Sequence, residues 1–482
     1  MNPKAVVIGG GLAGLGAALM LRKLGLEVTV VEKSARPGLL IRGFQRGGLN
    51  YETGFHYAGG LAEGGVLHRY LDRLGLFRHG LTTCALPDPG GETLRFAGAD
   101  LPVPGRYDDL RSLLPASQLI DEFFRLSWEL FQRSPYLNPE AGDFNPQAAY
   151  NELPSLHCQL AALPLDQKWK NLLGFRCLLY GVRPSEASFG HFSLVNQPYL
   201  NGAHTFTGGG EALVRAFEDQ LKTLGVTVLC GREVTAIKTD GRNALKSLVV
   251  KGPDGPEELA AEISVYSGSP KSLPKLLPEK ALRPVLARRL ASYHETPPPF
   301  LLFAHSSSGR LAGRQLFICP EGGLDDWFGP GQKMVYVSGG PGRNGRWPVS
   351  AVCLLPRGLT AAWARPDRGS KRPAAYQEFK QKLAEELRLF LLGRCPELEG
   401  DLAIAASATD LSLEDYSFNF GRGIYGKLHS VNEAPILPLT RVGGLALAGQ
   451  NIILPGLLGV LVSSAVAVGC LLGHKPVLEV LR

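Results

Sequence analysis

Three glycines and an acid carry the most definite chemistry in the chain. In AVVIGGGLAGLG, Gly9, Gly11 and Gly14 follow an apolar run with G-x-G-x-x-G spacing, and Glu32 ends a second apolar run eighteen residues after Gly14. That pattern suits a dinucleotide: Gly9 permits a tight turn, Gly11 lets the backbone approach a pyrophosphate, and Gly14 lets a helix pack closely on a sheet. A carboxylate at Glu32 accepts hydrogen bonds from a ribose 2′-hydroxyl, which favours FAD or NAD over NADP.

These residues work only if strand, turn, helix and strand hold them in register. Ala5 to Ile8 is a predicted strand, Leu12 to Leu24 has helical periodicity, Gly25 stops it, and Glu27 to Glu32 is a second strand. The helix start turns unpaired N–H groups and a positive dipole end toward the phosphates. Other chemistries find no foothold. The ten histidines form no H-x-x-x-H or E-x-x-H metal pair, and neither a G-x-S-x-G elbow nor a G-x-x-x-x-G-K-[ST] loop is present.

At 482 residues the chain exceeds a single hydrophobic core, so two or more domains are expected. A net charge of +7 with no compact basic block excludes nucleic acid as a partner. Eight scattered cysteines without a C-x-x-C read as reduced thiols, and the first strand begins within five residues of Met1, which leaves no room for a signal peptide. A cytoplasmic setting is the expectation. One run tests it: Gly443 to Gly473 has no charged residue and is long enough to cross a bilayer. Gln450, Asn451, Pro455 and seven glycines interrupt it, so it reads as a buried strand, a turn and a buried helix.

The first βαβ unit, EKSARPGLLIRGF (Glu32 to Phe44) and ETGFHYAGG (Glu52 to Gly60) resemble the FAD-dependent amine oxidase and phytoene desaturase superfamily. SLVNQPYLNGAHTFTGGGEAL and GRGIYGKLHS are most similar to its carotenoid isomerase and retinol saturase branch. The resemblance implies an α/β fold: a Rossmann-type FAD-binding domain from 1–77, 202–273 and 437–482, interleaved with a mixed-sheet and helical substrate domain from 78–201 and 274–436. Besides Gly9, Gly11, Gly14 and Glu32, it implies FAD contacts at Leu12, Ala13, Lys33, Leu40, Arg42, Gly54, Val234, Gly268, Gly449, Gln450, Gly459 and Val460. Leu39 stands where the family has a second turn glycine, and Gln450 with Asn451 stands where it usually has an acid.

Flavin carries the hydride step itself, so the protein supplies orientation, dryness and sometimes a proton. His56, Tyr57 and Tyr425 are the candidate catalytic residues, with His204 a further polar neighbour. The resemblance implies oxidation, reduction or reduced-flavin isomerisation at carbon–carbon double bonds of a long apolar isoprenoid or polyene. The electron donor or acceptor stays open, because no second nicotinamide-binding βαβ unit is present, and so does peripheral membrane contact to collect such a substrate. Two alternatives share the architecture: a flavin amine oxidase, and a non-catalytic prenyl-binding escort protein of the GDP-dissociation-inhibitor type. The bland reading of Phe123, Phe124, Trp128 and Phe131 is core packing.

Overall fold

A computed structural model of the chain describes residues 3–97, 99–142, 154–328, 334–365, 371–418 and 421–482. Strand β1 (Lys4–Ile8) is buried at four successive positions. Ala5 and Val7 enter one apolar core with α1 (Leu12–Lys23), while Val6 and Ile8 enter a second core on the opposite face. A strand covered on both faces has no solvent side, which is why it reads as a continuous apolar run.

Around β1 a five-stranded sheet forms in the order β5 (Thr227–Cys230), β2 (Glu27–Glu32), β1, β9 (Ile263–Tyr266), β15 (Leu445–Leu447). Every neighbouring pair is parallel. A three-stranded antiparallel sheet of β6 (Glu233–Thr239), β7 (Leu245–Gly252) and β8 (Gly255–Ala260) covers one face, sending Ile237, Leu248 and Val250 into the second core. On the other face α1 packs beside α7 (Gly456–Leu472), the helical part of the charge-free run. Leu461 to Gly469 of α7 is wholly buried, so this helix carries no charge on any face because protein surrounds it. No helix among the described residues is long and apolar enough to cross a membrane.

A second body is built on a seven-stranded sheet. Its order is β14 (Ala403–Thr409), β10 (Pro299–Ser306), β13 (Trp347–Leu354), β12 (Val335–Gly339), β11 (Gln315–Ile318), β3 (Glu92–Phe96), β4 (Ala99–Pro102). All pairs are antiparallel except β11 with β3, where an early hairpin joins strands that lie some two hundred residues later. Helix α6 (Ala374–Arg394) covers one face through Ala384, Leu387 and Leu391. Phe317 of β11 packs on the other side with Phe123 and Phe124 of α3 (Gln118–Gln132) and Phe189 and Phe192 of α4 (Phe189–Asn196). Phe131 is buried as well, but Trp128 is 50% exposed and departs from the core expectation. At 100° per residue it lies about 100° round α3 from the centre of the buried arc.

Candidate active site

A Cβ on Gly14 would stand 1.8 Å from the Gly9 carbonyl oxygen, so only glycine lets α1 approach the end of β1 this closely. Gly11 is exposed, and nothing lies within 4 Å of where its Cβ would be. Leu12 and Ala13 bury their side chains behind the turn and contribute first-turn N–H groups, which have no intrahelical acceptor and no side-chain cap. Glu32 is fixed beside them. Its Oε2 accepts the Gly10 N–H at 2.5 Å, and its Oε1 accepts the Ser34 N–H and hydroxyl, each at 2.6 Å. One lone pair of Oε2 stays available for a ribose hydroxyl.

The turn after β2 docks onto the glycine loop. The Gly38 N–H donates to Gly10 O at 2.8 Å, and the Ile41 and Arg42 N–H groups donate to Gly38 O at 2.9 and 3.0 Å. Gly38 has φ +75, and a Cβ there would meet Val214 at 2.3 Å, whereas Leu39 keeps an ordinary backbone conformation. The turn therefore needs one glycine, not two. Leu40 and Gly54 touch through their backbones: a Cβ on Gly54 would lie 2.6 Å from Leu40 O. Arg42 is half-buried and has no ion-pair partner among the described residues, whereas Arg36 pairs with Glu211 and Glu218. Lys33 points elsewhere, pairing with Glu233 and lying 4.8 Å over the Phe418 ring. Val234 is buried on edge strand β6, which is tied to the end of β2 by the Arg232 N–H on Glu32 O at 3.0 Å. Ahead of Gly268, the Ser267 hydroxyl bonds Ile8 O and Gly9 O at 3.0 and 3.1 Å.

The C-terminal segment completes this surface. The Gly449 N–H donates to Ser463 Oγ at 3.0 Å, and the Ser464 hydroxyl donates to Ala13 O at 2.8 Å, locking β15 and α7 to α1. Asn451 Oδ1 accepts the Lys427 N–H, and His429 Nε2 donates to Gln450 O, both at 2.7 Å. The Gln450 side chain makes no hydrogen bond among the described residues. Pro455 precedes α7 and provides no side-chain cap, so the first-turn N–H groups near Gly456 are open. Gly459 packs against Leu454, where a Cβ would come within 2.6 Å of the carbonyl oxygen, and Val460 is partly buried beside it.

His56 and Tyr57 stand in an aromatic cluster. The His56 ring meets Tyr336 edge-on at 5.2 Å, and Tyr57 meets Tyr199 at 5.6 Å and stacks on Tyr336 at 6.4 Å. Tyr425 is placed by its N–H on Thr296 Oγ1 at 2.9 Å, with its ring close against Gly181. Burial pushes the Tyr425 phenol up to about 12 and the His56 imidazole down to about 4. His56 is thus neutral near pH 7, and its buried Nδ1 has no hydrogen-bond partner among the described residues. It can offer a neutral N–H or a lone pair there, but not the cationic acid that an ordinary histidine near pH 6.5 would supply. His204 sits on the strand opposite Ala58, its pKa lowered by burial.

Tyr57 donates its hydroxyl proton to Glu92 Oε1 at 2.8 Å. Burial and the Glu92 charge raise its pKa well above the ordinary phenol value, so it is held as a neutral phenol near pH 7. Glu92 is also held by Arg176, Nη2 to Oε2 at 2.8 Å, with both side chains 3% exposed. Arg176 donates to Asn196 Oδ1 at 3.1 Å and lies over the rings of Tyr199 and Phe175 at 4.9 and 5.0 Å. Sequence reasoning missed Glu92, Arg176, Tyr199 and Tyr336. The available signal was Arg176, a lone charge in the apolar run LLGFRCLLYGV, since a charge there must be exposed or paired.

Between this cluster and the start of α7 runs a small cleft, lined among others by Gly59, Leu137, Leu194, Tyr199, Leu454 and Gly459. Open glycine edges, uncapped helix starts, a fixed carboxylate and an unpaired arginine fit the two phosphates and ribose of FAD. They lie in two segments that β1, α1 and α7 hold together.

Comparison with known proteins agrees. A family model for flavin containing amine oxidoreductase matches residues 12–302. The chain is 22% identical over 532 residues to all-trans-retinol 13,14-reductase of Danio rerio, covering 98% of this chain and 87% of the relative. It is 28% identical over 257 residues to phytoene dehydrogenase of Streptomyces griseus, covering 49% of each. In structure it is similar to an oxidoreductase from Methanosarcina mazei, with a TM-score of 0.63 at 15% identity, covering 96% of this chain and 99% of the other. The chain therefore belongs to the flavin containing amine oxidoreductase family and is an FAD-dependent oxidoreductase.

Proposed function

We propose that this oxidoreductase acts on carbon–carbon double bonds of a long apolar isoprenoid or polyene, with saturation as the favoured direction and 78–201 and 274–436 forming the substrate-facing body. The observation that carries the reading is the cleft, which reaches the start of α7 and has no carboxylate among the described residues of its lining to meet an ammonium group. That speaks against an amine substrate. The nearest buried carboxylate, Glu92, is already neutralised by Arg176. The near full-length likeness to a retinol reductase supports saturation over desaturation, for which the likeness to phytoene dehydrogenase spans half the chain.

FAD supplies hydride transfer when bound. The protein's part is to hold it through Gly9–Gly14, Glu32 and Arg42, and to keep water from the reacting bond. Neutral His56 and the tyrosine walls bring no net charge to an apolar substrate, and a dry site strengthens the dipoles that remain. The test is to incubate the reduced holoenzyme with a polyene and follow product mass. A gain of two hydrogens is expected. Unchanged mass with a new isomer would move the reading to isomerisation, and turnover of amines alone would overturn it.

A further inference from the structure

Three short segments that anchor in the second core through Leu282, Leu290, Ile436 and Val442 carry an unbalanced charge. Residues 240–243, 275–292 and 433–442 hold seven arginines and lysines against three acids. They lie side by side. The Asn243 side chain donates to Ala281 O at 3.1 Å and to Arg441 O at 3.2 Å, and Arg289 Nη1 donates to Pro435 O at 3.2 Å. Two of the three acids are engaged: Asp240 Oδ1 accepts the Arg242 and Ala244 N–H groups at 2.8 and 2.9 Å, and Glu433 pairs with His294. By contrast Arg242, Lys275, Lys280, Arg283, Arg288 and Arg441 are exposed, and none has an ion-pair partner among the described residues. Aliphatic side chains stand among these cations. Val285, Leu437 and Leu439 are each more than half exposed. On the helix Pro284–Ser292, Leu286, Ala287 and Leu290 turn into the second core, which leaves Val285 and Arg288, three residues apart, on the outer face. Leu437 and Leu439 belong to a loop stiffened by Pro435 and Pro438 and tied down by the Leu447 N–H on Pro438 O at 2.7 Å.

We propose that this surface docks on an anionic phospholipid bilayer, with its cations against the lipid headgroups and Val285, Leu437 and Leu439 entering the boundary between headgroups and acyl chains. Charge complementarity selects the occupant. Unpaired cations around exposed aliphatic side chains match a partner that is negative at its surface and apolar just beneath. An acidic protein would meet the cations alone and leave the aliphatic side chains without an apolar contact. The other cluster of exposed apolar residues lacks this charge: near Tyr107, Leu113, Leu119 and Trp128, Arg111 and Arg125 are already paired with Asp121, Glu122 and Glu129. Docking goes beyond the polyene reading and stands without it, because it needs no substrate.

The test is sedimentation of the FAD-loaded protein with phosphatidylcholine vesicles, with and without phosphatidylserine, in the absence of substrate. Wild type is expected to bind the phosphatidylserine vesicles at least about tenfold more tightly, with an affinity that falls as salt rises. Arg283→Gln combined with Arg288→Gln removes two cations, each contributing about fivefold near an anionic surface, and lowers that affinity by about tenfold or more. Leu437→Ser combined with Leu439→Ser weakens binding and keeps its salt dependence. Leu437→Trp reports entry directly, through a blue shift of tryptophan emission on phosphatidylserine vesicles that wild type does not show. Leu113→Ser combined with Leu119→Ser, in the other apolar cluster, is the control and binds as wild type. All these side chains are exposed, and flavin content and Tm at the wild-type level verify each variant. Equal binding of wild type to the two vesicles, or binding to neither, overturns the proposal. So do arginine and leucine variants that bind as wild type, a Leu437→Trp protein without the shift, or a control as weak as the leucine variant. Binding to polyglutamate but not to vesicles assigns the surface to an acidic protein and overturns it as well. Each of these outcomes leaves the polyene reading standing, whereas turnover of amines alone would leave docking untouched.

Discussion

Two carboxylates in the flavin domain are held in opposite ways, and each can be tested singly. Glu32 accepts three hydrogen bonds from Gly10 and Ser34, so its geometry is set before any ligand arrives. Glu32→Ala removes the ribose acceptor and loosens the loop. Loss of a charged hydrogen bond contributes about 1.5–3 kcal/mol, so the Kd for FAD is expected to rise roughly tenfold to a hundredfold in a flavin fluorescence titration. Glu52 is held less well. Burial, aided by the Glu211 charge and opposed by the Gly210 N–H, raises its pKa from 4.5 to about 7. The folded chain therefore keeps a proton that the unfolded chain has lost between those values. Its contribution to stability is complete below the unfolded value and is lost as pH rises through about 7. Glu52→Gln cannot lose that proton, so its Tm should fall less than that of wild type between about pH 5 and pH 8. Parallel Tm curves for the two proteins would show that Glu52 does not titrate in this window.

Helices α1 and α7 meet through small residues and hydroxyls: Gly16 opposes Leu461, and Ser464 reaches Ala13 O. This packing makes the glycine turn and the α7 start one unit, so a fault in either should reach both. Gly14→Ala would drive a methyl group into the Gly9 carbonyl and lift α1 from the sheet. Overpacking of this kind typically costs about 1–3 kcal/mol. The purified variant is expected to lose flavin colour and show a lower Tm, and normal flavin content would count against the contact. The α1 contribution was legible in the sequence because glycine spacing and an acid-terminated strand report local geometry. The α7 contribution was legible as a Pro-Gly helix start after a buried strand. The partners of Lys33 were not, because at a separation of 200 residues no pattern pairs it with Glu233. Nor was the ordinary conformation of Leu39, which depends on how the Gly38 turn docks on Gly10.

At the scale of the whole molecule, one buried ion pair joins pieces that the sequence scatters. Tyr57 follows the flavin-binding turn, Glu92 lies on β3, Arg176 in the 3-10 turn Phe175–Tyr180, and Asn196 ends α4. Local periodicity could predict the β3–β4 hairpin but not its place at the edge of a sheet whose other strands begin after residue 298. The pair is where that long-range arrangement is most exposed to test. Arg176→Met leaves Glu92 buried and uncompensated, which costs about 3–5 kcal/mol. Adding Glu92→Gln removes the orphaned charge while retaining an acceptor for the Tyr57 hydroxyl. The double variant should therefore unfold at a higher temperature than Arg176→Met, although it carries one more substitution, because neighbours in one network are not additive. Calorimetry of the four proteins of this cycle reads the coupling directly. A double variant no more stable than Arg176→Met would mean that Glu92 finds its compensation elsewhere. If the coupling holds and polyene turnover falls in Arg176→Met more than in the double variant, the pair also orients the tyrosine wall, since only the single variant leaves a free charge beside Tyr57 and Tyr199.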